Sequence, residues 1–355
     1  MSHRDHTRRI SVGGVSLGGG APVTVQSMTN APAHDPAAIL AQVRELAAAG
    51  CDIVRLAVPD RAAVSAFARV REESPLPLVA DIHFDYKLAL DALAAGADKI
   101  RINPGNIGAP ERVKAVADAC ARRGVPIRIG VNGGSLEQEI LQRFGNGPRA
   151  LAESALGHIR LLEQADFADI CVSIKSSDVA RTVEAYRLLA QQVDYPLHLG
   201  VTETGTPYMG LVKSAAGIGA MLLEGLGDTI RVSLTAPPAE EVRAGVAILK
   251  AVGLRRHGVN IVSCPTCGRT QIDLIALAQT VESALSDIDA PLTVAVMGCV
   301  VNGPGEAREA DYGLAGGKGT GVLFRKGTVM GKFPEGELVP ALERMIREDL
   351  REKEK

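Results

Sequence analysis

Three cysteines in the last third of the chain have the spacing of metal ligands. SCPTCGRT carries Cys264 and Cys267 as a C-x2-C pair, and Cys299 follows in MGCVVNGPGEA. Thiolates hold zinc or the irons of an iron–sulfur cluster; three are one short of a closed four-thiolate site, and spacing alone favours neither metal. His257 could complete a zinc knuckle but reads better as a linker residue. Cys51, Cys120 and Cys171 fall at a strand entrance, within a helix and within a strand, and read as buried structural thiols.

A second set of reactive residues lies on short β-branched runs. Successive strand residues point to opposite faces, so residues of one parity share a face. Asp81 and His83 share a face, as do Arg101 and Asn103, Arg128 with Asn132, Ser173 and Lys175, and Arg231 and Ser233; their alternates are Ile or Val. The apolar parity packs under helices, so the polar parity faces inward. With Arg55, five cations (Arg55, Arg101, Arg128, Lys175 and Arg231) then converge on one mouth with few carboxylates to pair them. Single-sign charge gathered in a desolvated pocket is costly without a counter-ion, so the set predicts a multiply charged anion such as a diphosphate. Pairing with Asp81, Glu203 or Asp52 is the bland alternative for any one of them.

The elements that must position these residues alternate strand with helix. Strand candidates are VTVQSM (23–28), IVRLAV (53–58), PLVADIHF (77–84), KIRINPG (99–105), PIRIGVN (126–132), DICVSIKSS (169–177), PLHLGVTETG (196–205) and TIRVSL (229–234). Each precedes a helix pattern, as in DPAAILAQVRELAAAG, where Asp35, Pro36 and Gly50 sit as N-cap, first-turn and C-terminal signals. Eight such units without a G-x-G-x-x-G fingerprint predict a TIM (β/α)8 barrel rather than a doubly wound sheet. RISVGGVSLGGG ahead of it reads as a hairpin turning at Gly13 and Gly14 that plugs the barrel floor. The rhythm stops near residues 252–260. The reading is therefore a barrel over residues 1–253 and a small α+β domain over 260–355, with a helix (QIDLIALAQTVESALSDI), a strand (LTVAVMG), a Gly-rich stretch, a hairpin (GVLFRKGTVMGKF) and a last helix.

Composition narrows the function classes. Thirty-nine Lys and Arg against 41 Asp and Glu give a formal net charge of -2, so no global field recruits nucleic acid or an anionic membrane. Aromatics at 3% and no Trp exclude a base-stacking surface. No apolar run reaches membrane-spanning length and the charged N-terminus is no signal peptide, so the expected location is the cytoplasm.

The motifs CPTCGRT, MGCVVNGPGEA, VQSMTN, ADIHFDYKLAL and RINPGN together resemble the 4-hydroxy-3-methylbut-2-en-1-yl diphosphate synthases in their bacterial two-domain form, over essentially the whole chain. The resemblance implies a 4Fe-4S cluster on Cys264, Cys267 and Cys299, with Glu306 as a replaceable fourth ligand. The implied substrate is 2-C-methyl-D-erythritol 2,4-cyclodiphosphate, bound by Arg55, His83, Arg101, Arg128, Asn132, Lys175, Arg231 and Ser233, with Asp81 and Asn103 on the same inward face. Two electrons open its ring and remove a hydroxyl, and Glu203 is the implied acid for the departing hydroxyl. The parity of Glu203 differs from that of His198, Gly200 and Thr202, which a bend at the strand end would resolve. Flavodoxin or ferredoxin is the implied electron donor, and a homodimer whose active site is shared between chains is the implied assembly. The competing readings are a barrel transferase or aldolase with a structural zinc knuckle and a non-enzymatic cluster carrier. A radical S-adenosylmethionine enzyme is disfavoured because the chain has no C-x3-C-x2-C triplet.

Overall fold

The computed structural model describes residues 2–256, 258–299 and 308–353. The chain divides into two compact units, Met1–Arg255 and Arg256–Lys355. In the first, β1 (Ile10–Val12) and β2 (Val15–Leu17) form an antiparallel hairpin whose turn places Gly13 and Gly14 at φ 56 and 92, the left-handed region that glycine enters without strain. Ile10, Val12 and Leu17 pack against Ile53, Val79 and Cys171 at the entrances of three barrel strands, so the hairpin does seal the floor.

Eight parallel strands follow: β3 (Thr24–Met28), β4 (Ile53–Ala57), β5 (Leu78–Asp81), β6 (Lys99–Ile102), β7 (Ile127–Asn132), β8 (Ile170–Lys175), β9 (His198–Leu199) and β10 (Thr229–Ile230). They pair in the order β8-β7-β6-β5-β4-β3-β10-β9, and a parallel bridge from Val172 to Leu197 closes the ring. Round the ring the register climbs by two residues on each of β3, β4, β6 and β8, the stagger a closed eight-stranded barrel requires. The outward parity is apolar: Val54, Leu56, Ile100, Ile102, Ile127, Ile129, Val172 and Ile174 join the core beneath the surrounding helices. Helices start on aspartate caps at the mouth side. Asp35 accepts from the N–H groups of Ala37 and Ala38, and Asp60, Asp85 and Asp178 cap three further helices in the same way.

The last two barrel strands are much shorter than their sequence patterns. The Arg231 N–H still donates to the Leu199 carbonyl at 2.9 Å, and beyond it side chains join the pairing: the N–H of Leu234 donates to Glu241 Oε1 at 2.8 Å, and the Thr204 hydroxyl donates to the Ser233 carbonyl. Gly200 allows the backbones to approach, since a Cβ there would lie 2.8 Å from the Arg231 carbonyl oxygen.

The second unit is a five-stranded sheet in the order β11 (Asn260–Ser263), β12 (Thr293–Met297), β13 (Tyr312–Gly317), β14 (Thr320–Arg325) and β15 (Thr328–Pro334). The first three are mutually parallel and the last two pair antiparallel. Helices Leu274–Ala284 and Leu338–Lys353 cover one face, burying Val281, Leu342 and Ile346 against Val294, Val296 and Leu314. Two strands go beyond the sequence pattern, β11 and β13. The latter runs inside the Gly-rich stretch, where Gly313 makes room for the Phe324 ring on the neighbouring strand.

Candidate active site

The inward parity of the barrel strands gathers its cations around one carboxylate. Asp81 at the end of β5 accepts from Arg101 Nη1 at 3.1 Å and lies 3.6 Å from Arg55 Nε and 3.4 Å from His83 Nε2. Arg55 also donates to the thioether of Met28 at 2.8 and 3.1 Å, a weak acceptor for a buried guanidinium. Arg101 has room because Gly130 faces it: a Cβ there would stand 2.8 Å from Nε. Arg231 is paired 3.4 Å from Glu241, a partner that strand parity does not reveal because it comes from the following helix. Arg128 and Lys175 have no carboxylate at ion-pair distance among the described residues. Arg128 is 1% exposed, and its Nε and Nη1 have no hydrogen-bond partner.

The electrostatics follow from burial in a field of one sign. Burial and the neighbouring guanidinium groups push Arg128 down to about 10 and put Lys175 well below its ordinary value. Burial acting alone would raise Asp81, but Arg55, His83, Arg101 and Arg128 outweigh it and hold the carboxylate well below its usual range. His198 is fully buried with both ring nitrogens unpartnered, and desolvation with Arg128 and Lys175 nearby keeps it neutral. Such a set is costly unless a ligand brings negative charge.

The remaining residues of the set are placed around this cage. Asn132 ends β7 in register with Lys175. Asn103 spends its Oδ1 capping the turn Pro104–Ile107 through the Gly105 N–H at 3.1 Å. That turn rests on His158, whose Nε2 lies 2.8 Å from Glu137 and holds its carboxyl down to about 2. Ser233 stands two residues beyond Arg231, its carbonyl tied to Thr204. Glu203 is exposed at φ 54, a left-handed conformation uncommon for a non-glycine residue. The bend that its parity called for is therefore present, and Glu203 has no ion pair with Lys213 or any other described residue. Asp52, the other bland partner, is committed elsewhere, to the Val25 N–H and to Arg255.

Sequence reasoning missed Lys99, Gln26, His198 and Glu241. The signal for Lys99 was available, since it shares the parity of Arg101 and Asn103 one pleat deeper.

In the small unit, Cys264 follows β11 directly and Cys299 follows β12 by two residues. The loop between Cys264 and Gln271 is laced to the end of β12: the Cys264 N–H donates to Val296, the Gly298 N–H donates to Cys264 Sγ at 3.3 Å, and the Gln271 N–H donates to Gly298. The Arg269 N–H, the Arg269 side chain and the Thr270 hydroxyl lower the Cys267 thiol below its ordinary value. Three thiols on two adjoining segments, with Cys264 accepting a backbone N–H and Cys267 held towards thiolate, suit a metal cluster. Among the described residues no group of three His, Cys, Asp or Glu is already set at ligating distance. Glu306 and His257 lie outside the described residues. The other three cysteines are buried, with burial raising Cys51 and Cys120 to about 12 and Cys171 to about 11, as inert structural thiols require.

Solved structures share the barrel. A dihydropteroate synthase from Yersinia pestis aligns over 70% of this chain and 98% of its own, at 15% identity and TM-score 0.51. A 3-dehydroquinate dehydratase from Geobacillus kaustophilus covers 71% and 99%, at 14% identity and TM-score 0.51. These establish the fold alone. Among curated proteins, the 4-hydroxy-3-methylbut-2-en-1-yl diphosphate synthase (flavodoxin) of Geobacter sulfurreducens is 58% identical, over 98% of this chain and 99% of its own length. The enzyme of the same name from Bacillus subtilis is 54% identical over 98% and 92%. The GcpE TIM-barrel domain matches residues 7–246 and the GcpE protein C-terminal domain matches residues 260–348. Both units thus match in order, and the chain belongs to the GcpE family.

Proposed function

We propose that this chain is a reductive 4-hydroxy-3-methylbut-2-en-1-yl diphosphate synthase that opens 2-C-methyl-D-erythritol 2,4-cyclodiphosphate with electrons from flavodoxin, the donor named for its relatives. The observation that carries this reading is the excess of buried cations over carboxylates at the mouth of a GcpE barrel. Arg128 and Lys175, without a carboxylate partner among the described residues, take the diphosphate oxygens; Arg55, Arg101 and Arg231, held by Asp81 and Glu241, fix its orientation. Asp81 is anionic and serves as a positioning residue for Arg55, Arg101 and His83 rather than as a phosphate contact. His83, Asn103, Asn132 and Ser233 complete the rim as hydrogen-bonding groups.

Cys264, Cys267 and Cys299 would hold a 4Fe-4S cluster, with Glu306 as the replaceable oxygen ligand. When bound, such a cluster passes electrons one at a time. Two electrons and one proton are consumed overall: the ring C–O bond to phosphate and the C–O bond of the hydroxyl break, a double bond forms, and water leaves. Glu203 delivers that proton from its carboxyl oxygen to the departing hydroxyl. The barrel and the cysteines belong to separate units, and Phe84, Tyr208 and Met209 on the loops and helix after β5 and β9 leave apolar surface exposed. This supports a homodimer in which one protomer's cysteine unit closes over its partner's barrel, excluding water from the reaction. No helix among the described residues is long and apolar enough to cross a membrane, and the working location is the cytoplasm.

Anaerobic incubation of the iron-loaded protein with reduced flavodoxin and the cyclic diphosphate tests the proposal. The linear allylic diphosphate should form with two electrons consumed per product. A colourless protein containing zinc and no iron or sulfide would instead support the structural-knuckle alternative.

A further inference from the structure

Lys99 lies inside the barrel one pleat below the cationic mouth, on the same face of β6 as Arg101. It is fully buried, and Nζ donates to a single neutral acceptor, Gln26 Oε1 on β3, at 3.1 Å. No carboxylate among the described residues reaches it. The groups that act on it come from the surrounding strands: Cys171 on β8, and Arg128 and Arg55 on β7 and β4. His198 on β9, which in turn senses Lys99, is neutral, and the buried Cys171 keeps its proton. Arg128 and Arg55, though burial lowers both, are guanidinium groups that keep their charge around neutral pH. Lys175 at the mouth is held below its ordinary value as well, and Lys99 is the deeper of these two buried amines whose charge can adjust to whatever the mouth holds.

We propose that Lys99 is a positioning residue for the diphosphate, coupling its binding at the mouth to the uptake of one proton on the Lys99 amine. This deepens the reading of the mouth as a diphosphate site and rests on it. Without ligand, burial and the repulsion of Arg128 and Arg55 bring the Lys99 ammonium down to about 8. Two negative charges placed among those guanidinium groups cancel that repulsion and favour the ammonium form. The sign follows by linkage. Below the ligand-free value Lys99 is already charged and binding takes up little. Above it, binding draws in a proton and affinity falls as pH rises, by up to about tenfold per pH unit. The cyclic diphosphate carries one strongly acidic group on each phosphate and does not titrate in this range, so a proton taken up near pH 8 belongs to the protein.

The test is calorimetric titration of the anaerobic holoenzyme, without reductant, with the cyclic diphosphate in two buffers of different ionisation enthalpy. Proton uptake should rise by about one between pH 7 and pH 9, above whatever Lys175 contributes at both. Lys99→Met should bind more weakly at pH 7, and Lys99→Arg, whose charge is fixed, should keep its affinity at pH 9; both should lose that rise. If one variant does not fold, the other still decides the matter. The rise persisting in either variant would place that proton elsewhere, with Lys175 first, and overturn the proposal, as would wild-type binding without the rise. Failure of the wild type to bind the cyclic diphosphate at any pH would remove the reading of the mouth and the Lys99 inference together.

Discussion

The cationic mouth and the cysteine corner solve opposite problems. At the mouth, chemistry-bearing side chains stand on the strands of a closed barrel, are buried, and are locked by neighbours before any ligand arrives: Arg101 against Asp81, Arg55 against Asp81 and Met28, Arg231 against Glu241. In the corner, the thiols sit on a loop and past a strand end, Cys267 is exposed, and N–H and hydroxyl donors from Arg269 and Thr270 lower its thiol. The mouth is costly to assemble and needs a charge to complete it; the corner is held by little and needs a metal to complete it. The difference teaches where each function tolerates change. On the proposed function, binding would reside in geometry fixed by the barrel, and electron delivery in ligands that a cluster itself draws together.

The largest effect that would sharpen this contrast is in the corner. Cys264→Ser or Cys299→Ser should lose the cluster's visible absorption and its iron, and turnover should fall to background. A retained iron spectrum would remove that cysteine as a ligand. Next is the proton donor: Glu203→Gln should lower kcat by about 10² to 10⁴ with KM and iron content little changed, and full activity would end its role as the acid. Arg128→Met should divide function from stability. KM should rise on the order of 10² or more, because the substrate's charge is left without its desolvated partner. The melting temperature should rise by a few degrees, because an unpaired buried cation is removed. A fall in melting temperature with unchanged KM would mean that the Arg128 charge serves the fold. The smallest effect is acid stability at the brace beneath Asn103. Glu137 titrates at about 2 when folded and at its ordinary higher value when unfolded, so its contribution is full above the unfolded value and is lost as pH falls through about 2. The side chain is more than a third exposed, so screening limits this to about 1 kcal/mol or less. Glu137→Gln should flatten the pH dependence of the urea midpoint across that window.

The eight βα units were legible because period-two alternation survives wherever a strand is apolar on one face and buried on both. The same alternation found Arg55, Arg101, Arg128, Lys175 and Arg231, which do gather at one mouth. It faded where backbone hydrogen bonding left the ladder: β9 and β10 stop after two residues each, as side chains such as Glu241 take over the backbone donors. Glu203 was out of phase for the same reason, since a left-handed residue breaks the parity on which the reading depends. Lys99 was missed although its parity was right, because a lysine at a strand entrance reads as an exposed end until the hairpin floor is seen beneath it. Glu241 carried no signal at all; a glutamate in the first turn of a helix is an ordinary dipole partner. In the small unit, cysteine spacing survived while β13 was hidden by glycines that clear space for Phe324 and Ile272.

The central claim is that the barrel mouth recognises the cyclic diphosphate without help from a cluster on the cysteine unit. Calorimetric binding of the cyclic diphosphate to the cluster-free Cys264→Ser protein tests it most directly. The account predicts one site per chain with a Kd within about tenfold of the wild type, which leaves the cluster a share of the binding free energy no larger than about 1.4 kcal/mol. Absence of binding by a folded, cluster-free protein would contradict it and place recognition in the cluster instead.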